Sequence, residues 1–172
     1  MADRLNDVIG RGIAWLTLVM VLTAFAVVIL RYVFSVGWVG LQESFVWMHG
    51  VVFMVGAGYT LLHNGHVRVD IFYRPASIRY KALIDILGVC LLLLPMVVLV
   101  FLVGFDYVNS SWSMFESSRE AGGLPGLYLL KTVILVFCVL TAVQGLSLAA
   151  RSLLILLGHR EFVAEAEEAE KV

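Results

Sequence analysis

Four stretches of the chain hold no Asp, Glu, Lys or Arg: residues 12–30, 44–62, 86–105 and 132–150. Taken as helices rising about 1.5 Å per residue, each would span roughly 30 Å, the thickness of a bilayer's hydrocarbon core. Lipid leaves open backbone groups unsatisfied, so a spanning segment of this kind must be helical. The pattern therefore predicts an all-α integral membrane fold with four transmembrane helices. The first run follows Arg4 and Arg11, as a signal peptide's apolar region would. It is longer than such regions, and it ends in Leu30-Arg31-Tyr32-Val33-Phe34 instead of a small-residue cleavage site, so we read it as a retained span.

The charged residues between the runs give an orientation. Nine of the twelve Lys and Arg lie in the N-terminal segment, in the loop between spans two and three, and after span four. The positive-inside rule then places both termini, and the second loop, in the cytoplasm. Residues 1–158 read as one four-helix membrane domain and residues 159–172 as an acidic cytoplasmic tail. Within the second loop, Gly65 is expected to end span two in a left-handed conformation. Arg68, Arg74, Arg79 and Lys81 suit anionic head groups at the membrane surface, with Phe72, Tyr73 and Tyr80 at the same depth. Pro75 suits the start of the third helix. A metal site at His63 and His66 lacks Cys or carboxylate partners at familiar spacings.

Composition agrees with this class. Hydrophobic residues make up 61% of the chain and charged residues 15%, which is too apolar for a single water-facing core. The net charge of −1 gives no reason to invoke nucleic acid. Cys90 and Cys138 sit inside apolar runs and read as packing residues.

The spans contain few groups able to do chemistry. His49 is the one imidazole inside a run, and a hydrogen bond into the bundle is its expected role. A bis-histidine haem would need a second histidine at matching depth, which the sequence does not offer within one chain. Gln144 is expected to hydrogen-bond to a neighbouring helix, and Pro95 to bend span three. Small residues permit close helix approach in lipid. Thr141, Gly145 and Ala149 form one such row, and Gly50, Ala57 and Gly58 another; whether each faces this bundle or a partner is open from spacing alone. At the opposite end from the termini, Arg31 and Glu43 flank a short loop and are expected to form an ion pair. Tyr32, Phe34, Trp38 and Trp47 are suited to an aromatic belt. No fixed-period repeat supports an inverted-repeat transporter.

In order along the chain, Leu30-Arg31-Tyr32-Val33-Phe34, Trp38, Glu43, Trp47, Gly56, the string Gly65-His66-Val67-Arg68-Val69-Asp70 and Gly123-Leu124-Pro125 resemble the small membrane subunit (Q, DctQ-type) of tripartite ATP-independent periplasmic (TRAP) transporters. The resemblance covers roughly residues 8–158. It departs at Gln42-Glu43, where members often carry two adjacent acids. The resemblance implies a non-enzymatic, cofactor-free subunit of a bacterial or archaeal inner membrane. Its partners would be a large multi-span subunit, a periplasmic substrate-binding protein and membrane lipids. Such systems import organic anions, often carboxylates, with sodium; the large subunit carries the cargo sites, and the small one steadies the scaffold. Two other readings compete with it. One is the membrane anchor of a b-type cytochrome in a redox enzyme. The other is a small self-sufficient exporter, which would need an acid buried in the membrane.

Overall fold

The computed structural model describes residues 1–66, 73, 75–159 and 161–163. Arg68, Asp70 and most of the acidic tail lie outside these residues, so the surface loop's charge pattern and the tail are not placed. The described residues form helices and connecting turns only. They are α1 (Ala2–Tyr32), α2 (Val39–Val55), α3 (Ala57–Leu62), α4 (Ile78–Gly88), α5 (Leu94–Ser113) and α6 (Leu127–Leu156), with a π-helical turn at Val89–Leu93 joining α4 to α5. They group into four segments long and apolar enough to cross a membrane: Ala2–Tyr32, Val39–Leu62, Ile78–Ser113 and Leu127–Leu156. Each charge-free run of the sequence falls inside one of them.

The helices overrun the apolar stretches, and their interruptions have local causes. Between α2 and α3 the chain breaks at Gly56, whose missing Cβ would otherwise press on the carbonyl of Val52. Thr60 restores pairing beyond the break by donating from both its amide and its hydroxyl to the Gly56 carbonyl, at 2.9 and 3.0 Å. The end of α3 corrects one expectation. Gly65 does not adopt a left-handed conformation; Asn64 does, at φ 52°. The Asn64 amide donates to the Leu61 carbonyl (3.3 Å) and the Gly65 amide to the Thr60 carbonyl (2.8 Å), the paired bonds of a Schellman end. Asparagine tolerates that backbone region, so glycine is not needed there.

Ser77 caps α4, its hydroxyl accepting from the Tyr80 amide at 3.4 Å. Pro95 falls in the first turn of α5, directly after the π-turn. Proline has no N–H to donate and crowds the carbonyl four residues back. The wider i→i+5 register just before it, closed by the Leu94 amide on the Val89 carbonyl, takes up that mismatch. The fourth segment starts at Gly126 (φ 92°) and is closed by a second Schellman pair around Gly158 (φ 81°).

The central helix is α6, which packs against every other helix. Along its length it buries Cys138, Leu140, Thr141, Gln144, Gly145 and Ser152. The outward surface is strongly apolar: Trp15, Leu22, Phe25, Phe53, Leu92, Leu102 and Val103 are exposed, while the fully buried positions include Asn6, Ser111 and Gln144. Water-soluble domains show the reverse distribution. Lipid is as apolar as leucine, so these helices gain little by hiding leucine from it and associate through small and polar contacts.

Candidate functional site: two polar clamps and an open groove

At the end carrying the N-terminus and the last turns of α6, the first turns of α1 lie between α3 and α6. Asp3 is the hub. One carboxylate oxygen accepts from Gln144 Nε2 and Ser147 Oγ, both at 2.9 Å, and the other from Arg151. Because Gln144 must turn its nitrogen to Asp3, its Oε1 faces Asn6, and Asn6 must answer with Nδ2, at 2.9 Å. That fixes the Asn6 amide orientation and aims Oδ1 at α3. There Oδ1 finds no hydrogen-bond partner, although Asn6 is fully buried. Instead it meets Gly58 at the position a Cβ would fill. The glycine hydrogen on that side is a weak donor of the kind common where helices touch. One turn away, Tyr59 lies where a side chain on Gly10 would stand. The Tyr59 ring also packs on His63, with centroids 4.3 Å apart. His63 Nε2 is 3.3 Å from Asp7 Oδ1, and Arg11 pairs with the other Asp7 oxygen at 3.0 Å. The His63 ring is therefore engaged with α1. Among the described residues no group of three His, Cys, Asp or Glu side chains is placed to hold a metal ion.

At the opposite end, the expected pair between Arg31 and Glu43 does not form. Glu43 turns to the loop before α6, where its carboxylate accepts from the Leu124 amide at 2.7 Å and from the Ser118 hydroxyl. A backbone amide held at close range is a better partner for a fixed carboxylate than a long exposed arginine, which must be ordered to reach it. Gly123 makes the approach possible, since a Cβ there would lie 2.5 Å from Ser118 Oγ and 2.8 Å from Glu43 Oε2. Pro125 follows in the bend that leads into α6.

A second tie flanks the first. Glu116 accepts from Ser111 Oγ (2.7 Å) and from Lys131, and the Lys131 ammonium lies 3.9 Å from the centre of the Tyr107 ring. The hydrogen bond from Lys131, followed by the one from Ser111, holds the Glu116 carboxyl below the usual carboxylate range. Trp112 Nε1 donates to Thr132 Oγ1 at 2.9 Å, and the Trp112 and Phe115 rings stand edge-on to Tyr128.

The remaining sequence-predicted positions divide into inward and outward sets. Gly50 faces Leu130, Gly58 faces Asn6 and Leu140, and Gly145 faces Leu93 and Val89, so these three look into the bundle. Thr141 is buried, and Ala57 and Ala149 are half-buried. Tyr32 and Trp38 are exposed at the end of span one and the start of span two. Trp47 lines a groove of about 580 Å³ between α1 and α2, together with Arg31, Gln42, Glu43 and Glu120. Among the described residues Arg31 has no ion pair. His49 corrects another expectation: it does not point into the bundle but is exposed, touching Phe53 and making no hydrogen bond to a described residue.

The polar network around Asp3 and Asn6 was not read from the sequence, although a signal was present. Asp3, Asn6 and Asp7 recur at helical spacing on one side of α1, and Gln144, Ser147 and Arg151 do the same on α6. Chemically, the first cluster joins helix to helix and the second joins helices to the loop before α6; neither couples a nucleophile to a base. A family described as "Tripartite ATP-independent periplasmic transporters, DctQ component" matches the chain over residues 20–154. No curated protein and no solved structure matches it.

Proposed function

The chain belongs to the DctQ components of tripartite ATP-independent periplasmic transporters, and from that premise we propose that it is the static brace of a sodium-coupled importer of organic anions such as carboxylates, the cargo being handled by its partners and not by itself. Those partners are a large multi-span membrane subunit, which holds cargo and sodium, and a periplasmic substrate-binding protein. The chain sits in the cytoplasmic membrane of its cell with both termini inside. Residues 1–158 form the membrane domain, and residues 159–172 form a cytoplasmic tail.

One observation carries the mechanical part of this reading. Asp3, Glu43, Lys131 and Arg151 lie near the span ends, where they tie helices to one another or to the loop before α6, and no Asp, Glu, Lys or Arg falls within the four central runs. A carrier of ions or anions needs polar ligands near mid-membrane, supplied by side chains or broken helices. Among the described residues the break at Gly56 is bridged by Thr60, and the π-turn at Val89–Leu93 is closed by the Leu94 amide on the Val89 carbonyl. Bracing instead requires fixed helix angles, which the Asp3–Asn6–Gln144 and Glu43–Leu124 contacts provide. The residues that carry the family pattern, Arg31, Tyr32, Trp38, Glu43, Trp47, Gly56, Gly65, His66, Arg68, Asp70 and Pro125, then act in folding and docking. The haem-anchor reading gains nothing, because no second imidazole faces His49 among the described residues.

The test is co-expression of this chain, tagged, with the large membrane subunit that accompanies it. The expected result is a stoichiometric complex in mild detergent, with solute uptake lost when this chain is omitted. A large subunit that folds and transports fully without it would overturn the proposal.

A further inference from the structure

The groove between α1 and α2 has two parts that share Phe45 and Val46. The upper part, at the end away from the start of α1, holds Arg31 and Gln42. The lower, of about 330 Å³, is floored by Met20, Val21 and Ala24 and ends at His49. Gln42, Val46, His49 and Phe53 follow one another at helical spacing, so they form one stripe down α2. His49 lies five residues past Ser44, where the charge-free run begins, so about 8 Å inside the hydrocarbon.

This position is costly as it stands. An imidazole always carries at least one N–H donor, and acyl chains offer it no acceptor. The hydroxyls of span residues differ, because serine and threonine can bond to their own helix, as Thr23 does to the Val19 carbonyl at 2.8 Å. His49 has no such bond, and Arg31 and Gln42 above it make no side-chain hydrogen bond or ion pair among the described residues. Polar groups inside a bilayer normally face protein or water. Three unused polar side chains along one groove, the deepest at hydrocarbon level, therefore mark a surface completed by another polypeptide.

We infer that this groove is where a membrane-spanning helix of the large subunit docks, accepting a hydrogen bond from His49 at depth and meeting Arg31 and Gln42 with polar groups near the surface. This rests on the proposed partnership with a large subunit, and it adds which face is used. A phospholipid would match the upper, charged part and the apolar trough, but its acyl chain would leave His49 unsatisfied. The outward face of the third span, by contrast, presents Leu92, Leu99, Leu102 and Val103, which lipid covers without loss.

The experiment uses the co-expressed complex in native membranes. A photo-crosslinking amino acid is placed at Val21 or Val46 in the groove, and at Leu92 or Leu102 on the third span. Groove positions should join to the large subunit, and third-span positions should not. In parallel, His49→Leu should weaken recovery of the large subunit by about 3- to 20-fold, the range for one interhelical hydrogen bond in lipid, while His49→Gln should retain most of it. If the large subunit co-purifies but is reached only from the third span, the docking face is wrong and the proposed function stands. Groove crosslinks only to phospholipid, or only to a second copy of this chain, would also overturn the docking face. If wild-type chain and large subunit do not co-purify, the partnership itself fails, and the docking face with it.

Discussion

Asn6 shows how much one small side chain can settle in this bundle. It is fully buried, its amide orientation is dictated by Gln144, and its oxygen occupies the space left by Gly58. Gly58→Val should therefore displace Asn6 and lose its bond to Gln144, lowering stability by about 1–3 kcal/mol, the usual cost of overpacking. Gly12, where a Cβ would meet nothing, is the control: Gly12→Ala should be neutral or slightly stabilising. Unfolding in mixed detergent–SDS micelles measures both. A second comparison separates Glu43 from Arg31. In the isolated chain, Glu43→Gln should cost about 1–3 kcal/mol through weakened charge-assisted hydrogen bonds, whereas Arg31→Ala should stay within about 0.5 kcal/mol. Equal losses from the two substitutions in thermal denaturation would restore the ion pair that the sequence suggested.

At the scale of elements, the spans were legible because hydropathy is a local property: twenty consecutive residues without a charge suffice to identify them. What each span does with its faces was not legible in the same way. Rotation about a helix axis is set by partners distant in sequence. Asp3 meets Arg151, and Glu43 meets the amide of Leu124; a backbone amide has no signature in side-chain patterns at all. The left-handed residue at Asn64, where Gly65 looked the natural choice, and the outward turn of His49 have similar origins. Local preference proposed one residue or one face, and the packed chain used another. Gln144 was singled out correctly as a deep polar group, but its partners on α1 were missed, since those residues read from sequence only as a flanking segment.

Pro95 gives the element-scale prediction. A proline in a regular helix interior costs about 3 kcal/mol. Here the π-turn at Val89–Leu93 has already shifted the register. Pro95→Ala should accordingly change stability by no more than about 1 kcal/mol and leave span three packed through Leu93 on Gly145. A gain near 3 kcal/mol in the same micelle titration would show that the proline strains the helix after all.

For the whole molecule, the structure places the start of α1, the last turns of α6 and the end of α3 together, through Asp3–Arg151 and Asp7–His63. On the proposed orientation, that end faces the cytoplasm. Single cysteines introduced at Ala2 and at Gly122, in a background with Cys90 and Cys138 replaced, should differ in labelling of intact cells by an impermeant maleimide. Gly122 should react and Ala2 should not; the reverse pattern would invert the topology.

The central claim is that a bundle with no Asp, Glu, Lys or Arg in its four central runs braces a transporter and conducts nothing itself. Ion and solute flux in proteoliposomes tests that directly. Reconstituted alone under an imposed sodium gradient, this chain should give sodium and organic-anion fluxes indistinguishable from protein-free vesicles, with gradient-driven uptake appearing only when the large subunit and the binding protein are added. Uptake above background by this chain alone would contradict the account.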